Sequence, residues 1–342
     1  MAKISEYTIE KIRNRADIYD IVSNYVNLKK RGRNFFGVCP FHSEKTASFS
    51  VNSEKQIFKC FGCGKGGSSI DFIMEYEKLD FVDAIKFLAD QYSIQIEEIN
   101  SKNKDISYNL YEINSHVASM YNQNLSDDKN KRYMDYFLKR GLTINTINEF
   151  MLGLSFSKDT ILKTIQGKYN TNAMQKSGLF IDSKIGYLDR FRDRIMFTLF
   201  NNTGKVIGFA GRATKKNEMA KYINSPETPV YYKSKTLYGI HMTKSEISKL
   251  DAAIVVEGYM DFLQLYQNNI KNVVAVSGTS LTNDHAHILK RLSNNIYIAY
   301  DGDQAGMASA IRAGYVLLKN GLNPLIVEIP EGLDPDDWVR ND

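Results

Sequence analysis

Glu257, Asp301 and Asp303 are three carboxylates placed where this sequence could assemble a metal site. Residues 252–256 (AAIVV) are an apolar run long enough for one buried strand and too short for a helix, and the run stops at Glu257. Residues 296–300 (IYIAY) repeat the pattern and stop at Asp301-Gly302-Asp303, with a helical stretch at 304–318 beyond. Asp301 and Asp303 are two apart, so an extended backbone turns both carboxylates to one side. Three acids converging on one point repel each other unless a cation lies among them, and hard oxygen ligands favour Mg²⁺ or Mn²⁺ over zinc. Acids and glycine are also ordinary turn residues. What favours a site is the repetition at the ends of two apolar runs, EGYMD and DGD. Asp261 in EGYMD and Asp336 in DPDD are candidate auxiliary ligands or supporting groups.

A second, softer set lies near the N-terminus and holds all three cysteines. Cys39 with His42 and Cys60 with Cys63 make C-x2-H…C-x2-C, with 17 residues between the pairs. A two-residue knuckle lets both its ligands face one ion, and three Cys with one His are a closed tetrahedral set for one structural Zn²⁺. A disulfide framework is disfavoured by the odd count and by the reducing compartment expected of this chain. The metal would stand in for the core that so small a ribbon lacks. Lys29, Lys30, Arg31, Arg33, Lys45, Lys55, Lys59 and Lys65 surround the knuckles, interleaved with Phe35, Phe36, Phe49, Phe58 and Phe61. Cations for phosphates and aromatics for bases suit single-stranded DNA, although most of these rings are expected to form the ribbon's own small core. His116, His241, His285 and His287 have no such context and read as ordinary structural or surface residues.

The elements that must position these residues follow from periodicity. Apolar runs at 252–256, 273–276, 296–300 and 325–329 alternate with helical stretches, which predicts a parallel sheet with the acids beyond the carboxyl ends of its strands. Before it, residues 189–197 (DRFRDRIMF), 204–212 (GKVIGFAGR), 221–228 (KYINSPET) and 233–239 (KSKTLYG) are glycine-punctuated and cationic. Residues 186–245 carry 11 Lys/Arg against 4 Asp/Glu, whereas residues 246–342 carry 7 against 13. A basic stretch next to an acidic, metal-seeking one suits a polyanion held beside its cations. Arg192, Arg194, Arg212, Lys221, Lys233 and Lys235 are therefore candidate contacts to DNA or nucleotide phosphates. A chain of 342 residues implies two or three domains. The expected organisation is 1–95 for the zinc ribbon, 96–110 for a linker, 111–245 for the basic part and 246–342 for the acidic part. There is no apolar run near 18 residues and the N-terminus is charged and helical. A soluble cytoplasmic monomer with no membrane partner is expected.

The strand-end acids resemble the TOPRIM domain shared by bacterial-type primases, topoisomerases of types IA and II and some nucleases. GVCPFHSEKTASFSV and IFKCFGCGKGG resemble the zinc-binding domain of bacterial-type (DnaG-type) DNA primases, and NTINEFMLGLSF resembles the segment that opens their polymerase domain. The likeness runs from about residue 5 to the C-terminus. It departs at Ala47, where the family commonly has Pro, and at Tyr231-Tyr232, where it carries Phe-His. The resemblance implies a multidomain α+β protein: a small zinc ribbon with helices, then a mixed α/β polymerase core ending in a Rossmann-like TOPRIM α/β subdomain. It implies a nucleotidyltransferase that copies single-stranded DNA template into a short RNA primer from ribonucleoside triphosphates. The catalytic Mg²⁺ or Mn²⁺ would sit at Glu257, Asp301 and Asp303. The family continues into a helicase-binding domain and this sequence stops at Asp342, so docking to the replicative helicase by that route is not expected. The alternatives are a truncated, non-catalytic DNA-binding primase remnant and, less favoured, a topoisomerase or nuclease built on TOPRIM.

Overall fold

In the computed structural model the chain is described at residues 3–4, 6–96, 98–99, 101–184, 186–215 and 220–341. It folds as two compact units, residues 1–104 and 105–342. In the first, five short strands form one antiparallel sheet in chain order: Lys29–Arg31, Asn34–Gly37, Phe49–Asn52, Ile57–Cys60 and Gly66–Gly67. Side-chain caps start the helices that cover it. Asp17 accepts the amides of Tyr19 and Asp20 ahead of Ile18–Ser23, and Ser68 and Asp71 form a capping box ahead of Ser69–Glu77. Ile12, Val22, Ile73, Ile85 and Leu88 from the helices meet Phe49 and Phe58 from the sheet in one core. Phe49 and Phe58 stack with centroids 5.3 Å apart, and Phe72 meets Phe58 edge-on at 5.6 Å. These rings are core, whereas Phe61 on the second knuckle is 71% exposed.

The stretch 96–110 is not the irregular linker expected. Glu98–Ile99 pairs with Lys3–Ile4, and the helix Ser101–Ser126 begins inside it. Ile106, Leu110, Ile113 and Val117 are all buried and recur every three or four residues. The polar residues between them hid this helical stripe from a composition-based reading.

Among its described residues the second unit carries an antiparallel hairpin, Phe180–Ser183 with Gly186–Asp189, and two four-stranded sheets. One is antiparallel, in the order Tyr222–Asn224, Val206–Ala213, Arg194–Phe200 and Gly153–Leu154. The other is parallel, in the order Val273–Ala275, Ala253–Val256, Asn295–Ile298 and Asn323–Ile326, as the alternating runs predict. Backbone bonds between Tyr238 and Ala275, at 2.8 and 3.2 Å, cover part of the edge of the first of these strands. The division expected at residue 245 falls inside the helix Ile240–Leu250, and one core runs across it. Phe197 of the antiparallel sheet stacks on Tyr259 at 4.7 Å, and Tyr259 opens the helix that follows Glu257. The basic and acidic stretches are thus parts of one packed body, and that packing sets the distance between cations and acids.

Candidate metal centres

Each acid is placed by the strand that ends before it and the helix that begins after it. Glu257 follows Ala253–Val256; Gly258 then caps the helix Tyr259–Gln267, with its amide donating to the Asp261 carboxylate at 2.8 Å. Asp301 follows Asn295–Ile298, and Asp303 caps Gln304–Lys319 by accepting the Gly306 amide at 2.7 Å. The glycines of DGDQAG are dictated by sterics. A Cβ on Gly302 would run into the carbonyl oxygens of Pro330 and Ile329, and one on Gly306 into that of Asp301.

Glu257 and Asp301 line a cleft of about 760 Å³ together with Asp261 and Asp334. Burial, then Asp301 and Asp303, push the Glu257 carboxyl up to about 7, against the opposing pull of Arg312. Burial, then Asp334 and Asp301, raise Asp261 to about 7 as well. Asp301 is raised by burial, Asp334 and Asp303, and Lys221 opposes the shift. Glu257 Oε1 is buried without a hydrogen-bond partner among the described residues. Mutually repelling carboxylates and a buried acceptor with no donor are chemistry that a divalent cation would relieve, although among the described residues the acids whose oxygens lie within 4.8 Å of one another are Asp334, Asp336 and Asp337.

The expected residues are only partly gathered. Asp303 is exposed and is not among the cleft-lining residues, although it acts on Glu257 and Asp301 electrostatically. Asp336 is fully buried and held by Arg140 and, at 2.9 Å, by Arg340 Nε, while its neighbour Asp334 lines the cleft. Of the expected cations, Arg212, Lys221 and Lys233 line the cleft. Arg192 instead pairs with Asp159, and Arg194 is buried with its guanidinium on the carbonyls of Gly211 (3.2 Å) and Ala220 (3.1 Å). Lys235 lies over the Tyr232 ring, 5.3 Å from its centroid. Sequence reasoning missed Arg140, Arg312 and Asp334. Only Arg312 left a usable signal: with Ser309, Ala313 and Val316 it forms one face of the helix that begins at DGD.

The cysteine set is tighter. The ligand atoms of Cys39, His42, Cys60 and Cys63 all lie within 4.8 Å of one another. Cys39 Sγ is 3.9 Å from Cys63 Sγ, and Cys60 Sγ is 3.8 Å from His42 Nδ1. A tetrahedral ion with zinc–sulfur bonds of about 2.3 Å requires edges of about 3.8 Å, so the set fits Zn²⁺. Burial opposes charge on Cys60 while the Cys63 amide, 3.4 Å away, favours it, and the Ser48 hydroxyl oxygen lies 3.3 Å away with its one proton on Glu44. A Cβ on Gly62 would sit 2.7 Å from His42 Nε2, so the knuckle needs glycine there.

Three family models match successive segments of the chain. The family model of the CHC2 zinc finger matches residues 4–104, that of the N-terminal domain of the DNA primase catalytic core matches 120–244, and a Toprim-like model matches 254–339. The DNA primase of Clostridium acetobutylicum is 43% identical over 98% of this chain and 57% of its own length. That of Listeria monocytogenes is 39% identical over 99% of this chain and 56% of its own. The chain therefore spans little more than half the length of these relatives. The crystal structure of the zinc-binding and RNA polymerase domains of the Aquifex aeolicus primase is similar with a TM-score of 0.66 and 35% identity, covering 98% of this chain and 82% of that one. A DnaG primase catalytic domain bound to single-stranded DNA is similar with a TM-score of 0.64 and 34% identity, over 71% of this chain and 77% of that one.

Proposed function

We propose, from the premise that this chain belongs to the bacterial-type (DnaG-type) DNA primases, that it synthesises short RNA primers on single-stranded DNA by nucleotidyl transfer. The observation that carries the reading is the meeting of two chemistries in one cleft. Arg140, Arg212, Lys221, Lys233 and Arg312 face Glu257, Asp261, Asp301 and Asp334, with an unpartnered buried oxygen on Glu257. A site of acids alone would only gather cations, and a site of cations alone would only bind a polyanion.

Glu257 and Asp301 hold Mg²⁺ or Mn²⁺ with the help of Asp303, and Asp261 and Asp334 add negative charge beside them. Held there, such a cation would supply charge neutralisation for a triphosphate and Lewis acidity for phosphoryl transfer to a 3′-hydroxyl. The chain's own part is to bind and orient. Arg212 presents a planar fork to phosphate oxygens, while Lys221 and Lys233 act as point charges. Lys221 also draws Asp301 toward its charged form. Lys233 is steadied by the Gly278 carbonyl at 3.1 Å, at the loop that walls the cleft. The zinc ribbon contacts template DNA through its basic strand Lys29–Arg31 and the exposed ring of Phe61.

The test is incorporation of labelled ribonucleotides on a single-stranded template, with wild type, Asp301→Ala and Lys221→Ala. Template-dependent RNA products that Asp301→Ala loses while still binding the template support the reading. Binding with no synthesis by the wild type under any divalent cation would leave a DNA-binding protein in its place.

A further inference from the structure

The zinc ligands do not account for Glu44, which lies two residues beyond His42 with its side chain only 10% exposed. A carboxylate beside three cysteine ligands is unfavourable in charge, so its burial needs a reason. Its contacts give one. Glu44 Oε1 accepts the amides of Cys39 at 2.7 Å and of Ser48 at 3.1 Å. Oε2 accepts the Ser48 hydroxyl at 2.5 Å and faces His42 Nε2 at 3.3 Å. The Ser48 oxygen in turn lies 3.3 Å from Cys60 Sγ. One carboxylate thus reaches three of the four ligands: Cys39 through its backbone, His42 through its ring and Cys60 through Ser48.

The His42 contact also selects a tautomer. An acceptor at Nε2 keeps the ring proton there and leaves the Nδ1 lone pair facing the thiols, where Cys60 Sγ lies 3.8 Å away. We propose that Glu44 is the positioning residue of the zinc centre, orienting the His42 ring and clamping the Cys39 and Ser48 turns around the metal. Glu44→Gln keeps the shape and both amide bonds but loses the charge that holds the Nε2 proton. Glu44→Ala loses all of these contacts.

The experiment follows zinc release from the full chain into the chromogenic chelator 4-(2-pyridylazo)resorcinol, alongside the absorption spectrum of the cobalt-substituted protein. Metal analysis of the wild type comes first: a chain that purifies without zinc would remove the premise, independently of Glu44. Release is expected to be about 10-fold faster in Glu44→Gln and up to about 100-fold faster in Glu44→Ala. The cobalt d–d bands of both should change as His42 loosens, while Ser48→Ala should alter mainly the thiolate charge-transfer bands. A spectrum in Glu44→Gln identical to wild type would overturn the proposal, whether release is unchanged or merely faster in step with a lower melting temperature. Glu44→Gln is the decisive variant, since it keeps the acceptor for the Cys39 and Ser48 amides that Glu44→Ala removes.

Discussion

The cysteine set and the acidic set contrast in what the protein does for its own ligands. Cys39, His42, Cys60 and Cys63 lie at tetrahedral spacings, and the amides of Phe41 and Cys63 donate to the sulfurs of Cys39 and Cys60. The acids are treated the opposite way. Burial and mutual repulsion push Glu257 and Asp261 up to about 7, and Glu257 Oε1 has no donor among the described residues. One set is complete with protein atoms alone and suits a metal that supports folding. The other stays incomplete on a cleft of about 760 Å³ and suits a metal that must also receive a substrate. A closed site adds stability when loaded; an open one is a standing cost that ligands relieve.

Removing zinc should give the largest effect. Structural zinc in small domains is worth on the order of 10 kcal/mol, and here Cys39 and Cys60 are also part of the unit's core. Cys60→Ala should lose zinc by metal analysis and loosen residues 34–66 in hydrogen exchange. The second unit has its own cores and should keep its melting transition. A single shared transition that falls for the whole chain would show that the two units are not independent. Asp301→Ala should do the reverse: RNA synthesis should fall about 10³-fold or more while both transitions and template binding persist. A variant that still makes RNA near the wild-type rate would place the metal elsewhere.

Much of this contrast was legible in the sequence because both sets are written locally. Ligand spacing in a knuckle, or an acid ending an apolar run, depends on a few neighbouring residues. The parallel sheet was legible for the same reason: its four strands are short apolar runs at regular intervals. What was hidden is what depends on partners far along the chain. Nothing near Arg140 says that it reaches Asp336, 196 residues away, or that Asp334 faces the cleft. Arg192 and Arg194 read like Arg212, yet Asp159 and the Gly211 and Ala220 carbonyls take them up. A cation's sequence context shows its charge and not its partner. The helix at 101–126 was legible over 111–124, but its start was read as linker for another reason: the few buried residues there are separated by polar ones.

The acidic set should also show itself in pH dependence without added Mg²⁺. Glu257 titrates at about 7 in the fold against an ordinary 4.5, and Asp261 at about 7 against 3.8. Between those limits the folded unit binds more protons than the unfolded chain, so stability falls as pH rises from about 4 to 7 and then levels off. For Glu257 the loss is about 3 kcal/mol at most. Glu257→Gln should flatten the slope and raise the melting temperature of the second unit above pH 7, and Mg²⁺ should flatten it in the wild type. The zinc-loaded first unit should move the opposite way, gaining stability with pH as protons cease to compete for its thiolates. A second unit that gains stability through this window would contradict the repulsion argued for the acids.

Single cations of the cleft should give the smallest effects and the finest comparison. Lys221 lines the cleft and lowers the Asp301 carboxyl, so Lys221→Ala removes a phosphate contact and leaves Asp301 easier to protonate. Affinity for single-stranded template should weaken about 10-fold, and the slope of log affinity against log salt should become shallower by about 0.7, one phosphate's worth of counterions. Arg192→Ala is the matched control. It breaks the pair with Asp159, in which both side chains are about one-third exposed, and should cost at most about 1 kcal/mol of stability without altering the salt slope. Fluorescence-anisotropy titrations at several salt concentrations measure both variants. Equal slope changes would mean that the polyanion path extends beyond the cleft to Arg192, and an unchanged slope in Lys221→Ala would take Lys221 out of that path.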